Sequence, residues 1–238
     1  MENAVVLALE TSSLVSSIAV LKEDKLLAEL NIESTKHHSE LLVPHIEELL
    51  KMASIEKSGL SAIAVSTGPG SFTGLRIGLA TAKAMAYVLN IPVIGVSTLK
   101  GLAWNLRVEG ALLCPLMDAQ KGNVYTALYE VRNGEFAELW NERVESLEWV
   151  LAEARRNPKM MLLGEGNNRL VRKIEEYGLS SQRPAPHLYM PRAASIGFAA
   201  MERILAGEAD SLMKVVPNYI RRSEAEELWE KKQAKSEQ

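Results

Sequence analysis

The sequence predicts an α/β protein built as two lobes, and three observations carry the prediction. The amino-terminal part reads as three strands joined by tight turns, then as alternating helices and strands. A second strand-turn-strand pattern begins near Gly110 with different residues at its turns. The length, 238 residues, suits one large domain or two small lobes with a core in each.

Ala4 to Leu9 is an aliphatic, β-branched run that breaks at Glu10-Thr11-Ser12-Ser13. Leu14 to Leu21 and Lys25 to Ile32 follow as strands, reversing at Glu23-Asp24. Ser39 to Lys51 sets Leu42, Ile46, Leu49 and Leu50 along a helical face, with Pro44 early enough to bend the helix without abolishing it. Ser61 to Ser66 is a buried strand ended by Thr67-Gly68-Pro69-Gly70, and Phe72 to Leu89 is the next helix. Pro92 to Val96 and Thr98 to Leu106 complete the first lobe as strand and helix, giving a unit of residues 1–109.

The second unit, 110–220, opens with strands Leu112 to Met117 and Val124 to Val131 around a turn at Lys121-Gly122-Asn123. Asn133-Gly134 marks a hairpin into Glu135 to Trp140. Helix Leu147 to Arg155, strand Met160 to Leu163 and helix Asn168 to Tyr177 follow. Gln182 to Pro191 holds three prolines and reads as an extended connection to a final apolar helix, Ala193 to Leu205. The remaining residues, 221–238, are a charged tail; Leu228 and Trp229 leave open a partner-binding helix beside the solvated reading.

Gly74, Gly78, Ala82 and Ala86 recur every four residues and make a narrow helix face on which a second backbone can pack closely. Glycine in a helix costs about 1 kcal/mol against alanine, so two on one line imply close packing in return. That packing is either internal or intermolecular. We expect this face, with Leu42, Ile46 and Leu49 of the preceding helix, to form a helical association surface.

Lys plus Arg number 27 against 30 Asp plus Glu, a formal charge of −3, which excludes a chain that coats nucleic acid on its own. No apolar run approaches the roughly 20 residues of a membrane span and no basic leader precedes the first strand, so the expected place is the cytoplasm, away from membranes. The single cysteine, Cys114, lies in an apolar strand and reads as a buried side chain in a reducing compartment. Histidines 37, 38, 45 and 187 lack a zinc-site pattern.

Two turns could carry phosphate or metal chemistry. Glu10, Thr11 and Ser12 in the first and Asp118 with Gly122 in the second are weak cofactor candidates, since two carboxylates on comparable turns suit a metal-nucleotide complex. Ser66-Thr67-Gly68-Pro69-Gly70 enters a helix but lacks P-loop spacing, so a structural bend is the preferred reading over an anion site.

The run Gly68-Pro69-Gly70-Ser71-Phe72-Thr73-Gly74-Leu75-Arg76-Ile77-Gly78 brings a family into view. Leu7-Ala8-Leu9-Glu10-Thr11-Ser12, His38-Ser39-Glu40-Leu41-Leu42, Asp118-Ala119-Gln120-Lys121-Gly122-Asn123 and Pro217-Asn218-Tyr219-Ile220 support it. The chain resembles the TsaB family, noncatalytic subunits among the glycoprotease-like proteins of bacterial tRNA threonylcarbamoyladenosine synthesis. The resemblance implies two lobes of the actin-like, sugar-kinase and Hsp70 superfamily with an RNase H-like core. It implies direct assembly with the transferase TsaD, contact with the ATPase TsaE through the complex, and a TsaC-type enzyme supplying the activated intermediate. A homodimer in the absence of TsaD, tRNA contact through the assembled complex, and no cofactor requirement for the isolated subunit also follow; nucleotide binding within the complex is left open. A catalytic relative would carry an HxxxH metal pair where this chain has Thr98 and Leu102. The alternatives are an independent ATP-binding phosphotransferase or ATPase and, with less support, a metallopeptidase.

Overall fold

The computed structural model describes residues 3–33, 38–164 and 168–220; the charged segment expected as a tail lies outside them. In the first lobe, β1 (Val5–Glu10), β2 (Val15–Lys22) and β3 (Lys25–Glu33) run as an antiparallel meander. Helix α1 (His38–Met52) leads to β4 (Ala62–Gly68), and α2 (Phe72–Leu89) to β5 (Val93–Ser97), β4 pairing in parallel with β1 and β5 in parallel with β4. The sheet order is β3-β2-β1-β4-β5. After α3 (Thr98–Trp104) the pattern restarts with β6 (Leu112–Asp118), β7 (Asn123–Arg132), β8 (Glu135–Ser146), α4 (Leu147–Arg156) and β9 (Met160–Gly164). Its order, β8-β7-β6-β9, repeats the first four positions of the first sheet. This is the expected two-lobed α/β architecture with RNase H-like cores.

The central strand β1 is buried on both faces, which is why it reads as a continuous apolar run. Its odd residues, Val5, Leu7 and Leu9, pack with Leu42, Ile46, Leu49, Leu79, Ala82 and Ala86 of α1 and α2. Its even residues, Val6 and Ala8, face the opposite layer.

That layer corrects the expected lobe boundary. The last helix, α6 (Ala193–Leu205), packs through Ile196, Ala199, Ala200 and Ile204 against Val6, Ala8, Ala19, Ala64 and Ile94 of the first sheet. Residues 110–220 therefore do not all belong to the second lobe. After α5 (Asn168–Glu176) and two short 3₁₀ turns the chain returns to the first. The physical reason is shape: alanines on β1, β2 and β4 make a flat bed that admits a helix rich in small residues. A Cβ on Gly197 would lie 2.2 Å from Leu21 Cδ1.

The amino end of α6 is tied down by side chains of the first sheet rather than by its own cap. Ser17 Oγ accepts from Ala193 N at 2.8 Å, and Glu29 accepts from Ala194 N at 3.1 Å while pairing with Arg192. The Glu29 side chain is only 6% exposed, so this pair is largely withdrawn from water. Glu29→Gln removes the charge and one acceptor, and we expect a loss of about 2 kcal/mol in urea unfolding at neutral pH. An unchanged midpoint would show that Ser17 alone suffices.

Helix α3 joins the lobes. Its Leu99, Leu102 and Ala103 enter one apolar cluster with Leu113, Met117, Ala127, Tyr129 and Leu163 of the second sheet, while Asn105 beyond its end donates to Leu188 O and Met190 O. Among the described residues no helix is long and apolar enough to cross a membrane.

Candidate functional site

The first candidate turn is filled by its own chain. Glu10 Oε1 accepts from Ser12 N at 2.6 Å, Thr11 Oγ1 donates to Gly74 O at 2.8 Å, and Ser71 N donates to Ser12 O at 2.7 Å. Glu10, Thr11 and Ser12 are each no more than 1% exposed. A Cβ on Gly70 would sit 2.4 Å from Ser12 O, one on Gly74 2.0 Å from Thr11 O, and one on Gly78 2.3 Å from Thr11 Oγ1. The glycines therefore bring the start of α2 onto the turn at backbone contact. The three residues do not form an open cofactor site, and the glycine-rich segment is the structural bend preferred from its spacing.

The second turn has the same local design without the cover. Asp118 Oδ1 accepts from Gln120 N at 2.8 Å, two residues on as in the first turn, and Gln120, Lys121 and Gly122 all have positive φ. Leu147 N donates to Gly122 O, so the turn also holds the start of α4. Asp118 is exposed, but its carboxylate and that of Glu10 each bind a main-chain amide of their own turn. Among the described residues no group of three His, Cys, Asp or Glu side chains could hold a metal ion.

Thr98 and Leu102 are fully buried, Leu102 in the apolar cluster that unites the lobes. Cys114 is buried too; desolvation pushes its thiol up to about 12, against the hydrogen bond with Thr126 and the field of Arg143. A thiol held protonated in this way is a poor nucleophile.

The expected association surface is corrected by the packing of α2. Gly74, Gly78, Ala82 and Ala86 are all buried within the chain, as are Leu42, Ile46 and Leu49. The small-residue line packs internally, against the first turn and the sheet, so it cannot meet a partner directly. Two residues further along the helix, about 200° around its axis, runs a second line with the same spacing: Phe72, Arg76, Ala80, Ala84 and Val88, all exposed. Val88 is 79% exposed and its neighbour Tyr87 77%. From α1, Leu41, Val43 and Met52 are exposed alongside. Between the two helices lies an apolar groove of about 290 Å³ lined by Val43, Ile46, Ala84, Met85, Val88 and Leu89, with the Glu47–Lys57 ion pair beside it.

This outward line was available in the sequence. Helix α2 carries only Arg76 and Lys83 as charged residues among 18, so it is apolar almost all round and one layer of core cannot cover it.

The family model for TsaD, tRNA N6-adenosine threonylcarbamoyltransferase, matches residues 25–229. The tRNA threonylcarbamoyladenosine biosynthesis protein TsaB of Bacillus subtilis is 34% identical over 226 residues, covering 94% of this chain and 97% of that protein. A tRNA N6-adenosine threonylcarbamoyltransferase of Streptococcus equi is 34% identical over 153 residues, 57% of this chain but 45% of the transferase. The solved structure of YeaZ from Pseudomonas aeruginosa superposes with a TM-score of 0.75 at 27% identity, covering 91% of this chain and 99% of that one.

Proposed function

The chain belongs to the TsaB family, and from that premise we propose that it is the noncatalytic subunit of a tRNA threonylcarbamoyladenosine synthesis assembly. Its role is to scaffold and activate the transfer of threonylcarbamoyl to N6 of adenosine 37 in tRNAs that read codons beginning with adenine. The observation that carries this reading is similarity over nearly the whole length of both this chain and the Bacillus subtilis TsaB protein.

The direct partner in this proposal is TsaD, with TsaE joining through the complex and a TsaC-type enzyme supplying threonylcarbamoyl-adenylate. The docking face is the outward side of α1 and α2: Leu41, Val43, Ala80, Ala84, Tyr87 and Val88. Small residues in the middle of the α2 line let a partner helix approach, and the large apolar ends supply burial. The same face would pair two copies of this chain when TsaD is absent.

Reconstitution with purified TsaD, TsaE, threonylcarbamoyl-adenylate and tRNA tests the function. We expect modified adenosine only when this chain and TsaD are both present, and no ATP turnover or transfer by this chain alone. Robust turnover by the isolated chain, or full activity of TsaD and TsaE without it, would overturn the reading.

A further inference from the structure

The chain after α6 crosses back over both lobes. Asp210 pairs with Val93 and is held by Arg203 and by the amide of Gly95, and Val215 is buried in the core beneath α1 and α2. From Val216 onward the attachment changes. Asn218 N donates to Thr67 O at 2.7 Å at the end of β4, and Asn218 Nδ2 donates to Glu142 Oε2 at 3.2 Å on β8 of the second lobe. The next side chain, Tyr219, stacks on Phe72 with ring centroids 4.7 Å apart and accepts from Arg76 Nε at 3.1 Å. Arg76 in turn lies over the Phe72 ring at 3.8 Å. Two consecutive residues, Asn218 and Tyr219, thus touch the first sheet, the second lobe and the outward end of α2.

We propose that residues 216–219 form a strap that couples the exposed amino end of α2 to the second lobe, with Glu142 as its catch there. The inference does not depend on what docks on α2. Glu142 is half-buried and uses both oxygens: Tyr129 OH donates to Oε1 at 3.3 Å and Asn218 to Oε2. The Ser97 hydroxyl at the start of α3 also faces it, Lys100 of α3 contributes a positive charge and Glu138 of β8 a negative one. Freeing this carboxylate loosens the side-chain hydrogen bond between the strap and the second lobe. Anything that pulls Tyr219 from Phe72 and Arg76 acts on the same four residues.

Burial holds the Glu142 carboxyl above the usual carboxylate range, against the hydrogen bonds of Ser97 and Tyr129.

Amide hydrogen exchange of residues 216–220 in the full chain tests the coupling. In Glu142→Ala and in Asn218→Ala we expect exchange of this segment to rise roughly threefold to tenfold while β1 and β4 stay protected. Asn218 is exposed, so its variant keeps the test open should Glu142→Ala fail to fold. Unchanged exchange in Asn218→Ala would overturn the proposal.

Discussion

Gly74→Ala is expected to destabilise the isolated chain by about 4 kcal/mol or more, enough to leave much of it unfolded under ordinary conditions. Helix propensity alone predicts the opposite sign, a gain of about 1 kcal/mol for alanine in the first turns of α2. The contact decides the outcome. A methyl group at this position would meet the carbonyl oxygen of Thr11 at 2.0 Å, and that oxygen belongs to main chain at the end of the central strand, which cannot rotate aside. Moving α2 outward would also break the bond from Thr11 Oγ1 to Gly74 O and uncover Leu79 and Ala82. Gly78→Ala should cost less, because its obstacle, 2.3 Å away, is the Thr11 hydroxyl, which can turn at the expense of that bond. Urea titrations of both variants measure the difference. A stabilised Gly74→Ala would mean that α2 does not sit this close to the first turn.

The second large effect is on assembly rather than folding. Ala84→Arg places a long cation on the exposed line of α2, in the groove beside Val43 and Val88. The free chain should tolerate it, with a urea midpoint shifted by no more than about 0.5 kcal/mol. Binding to purified TsaD should weaken at least about 100-fold, roughly 3 kcal/mol, since docking would bury an unpaired charge where a small side chain allowed helices to meet. Titration of labelled variant with TsaD reads the loss directly. Unaltered affinity would place the TsaD contact away from α1 and α2, while the family assignment would stand.

The two substitutions lie on the two small-residue lines of one helix, and the contrast between them shows what spacing can and cannot tell. A repeat every four residues identifies a face that lets something approach closely. It does not say whether the neighbour is the same chain or another. Gly74, Gly78, Ala82 and Ala86 were expected to meet a partner, yet they meet Thr11 and the sheet, because a long-range contact across 63 residues claims them first. The face proposed for a partner holds Ala80, Ala84 and Val88 instead, whose solvent exposure is a property of the folded lobe.

Local pattern alone determined the strands, hairpins and helices of both lobes, since apolar periodicity and turn chemistry act over a few residues. It also determined the family, through motif residues spread along the chain. Strand β8 marks the limit of such reading: expected to end at Trp140, it continues to Ser146 because β7 offers backbone partners as far as Asn123, whatever the polarity of residues 141–146. Helix α6 was legible as a helix, but its membership of the first lobe came only from the flat alanine bed that it fills. The covered turn at Glu10 was likewise decided by tertiary packing. A carboxylate beside two hydroxyls is compatible with binding phosphate or with holding a helix, and only the approach of Gly70, Gly74 and Gly78 to that backbone separates the two.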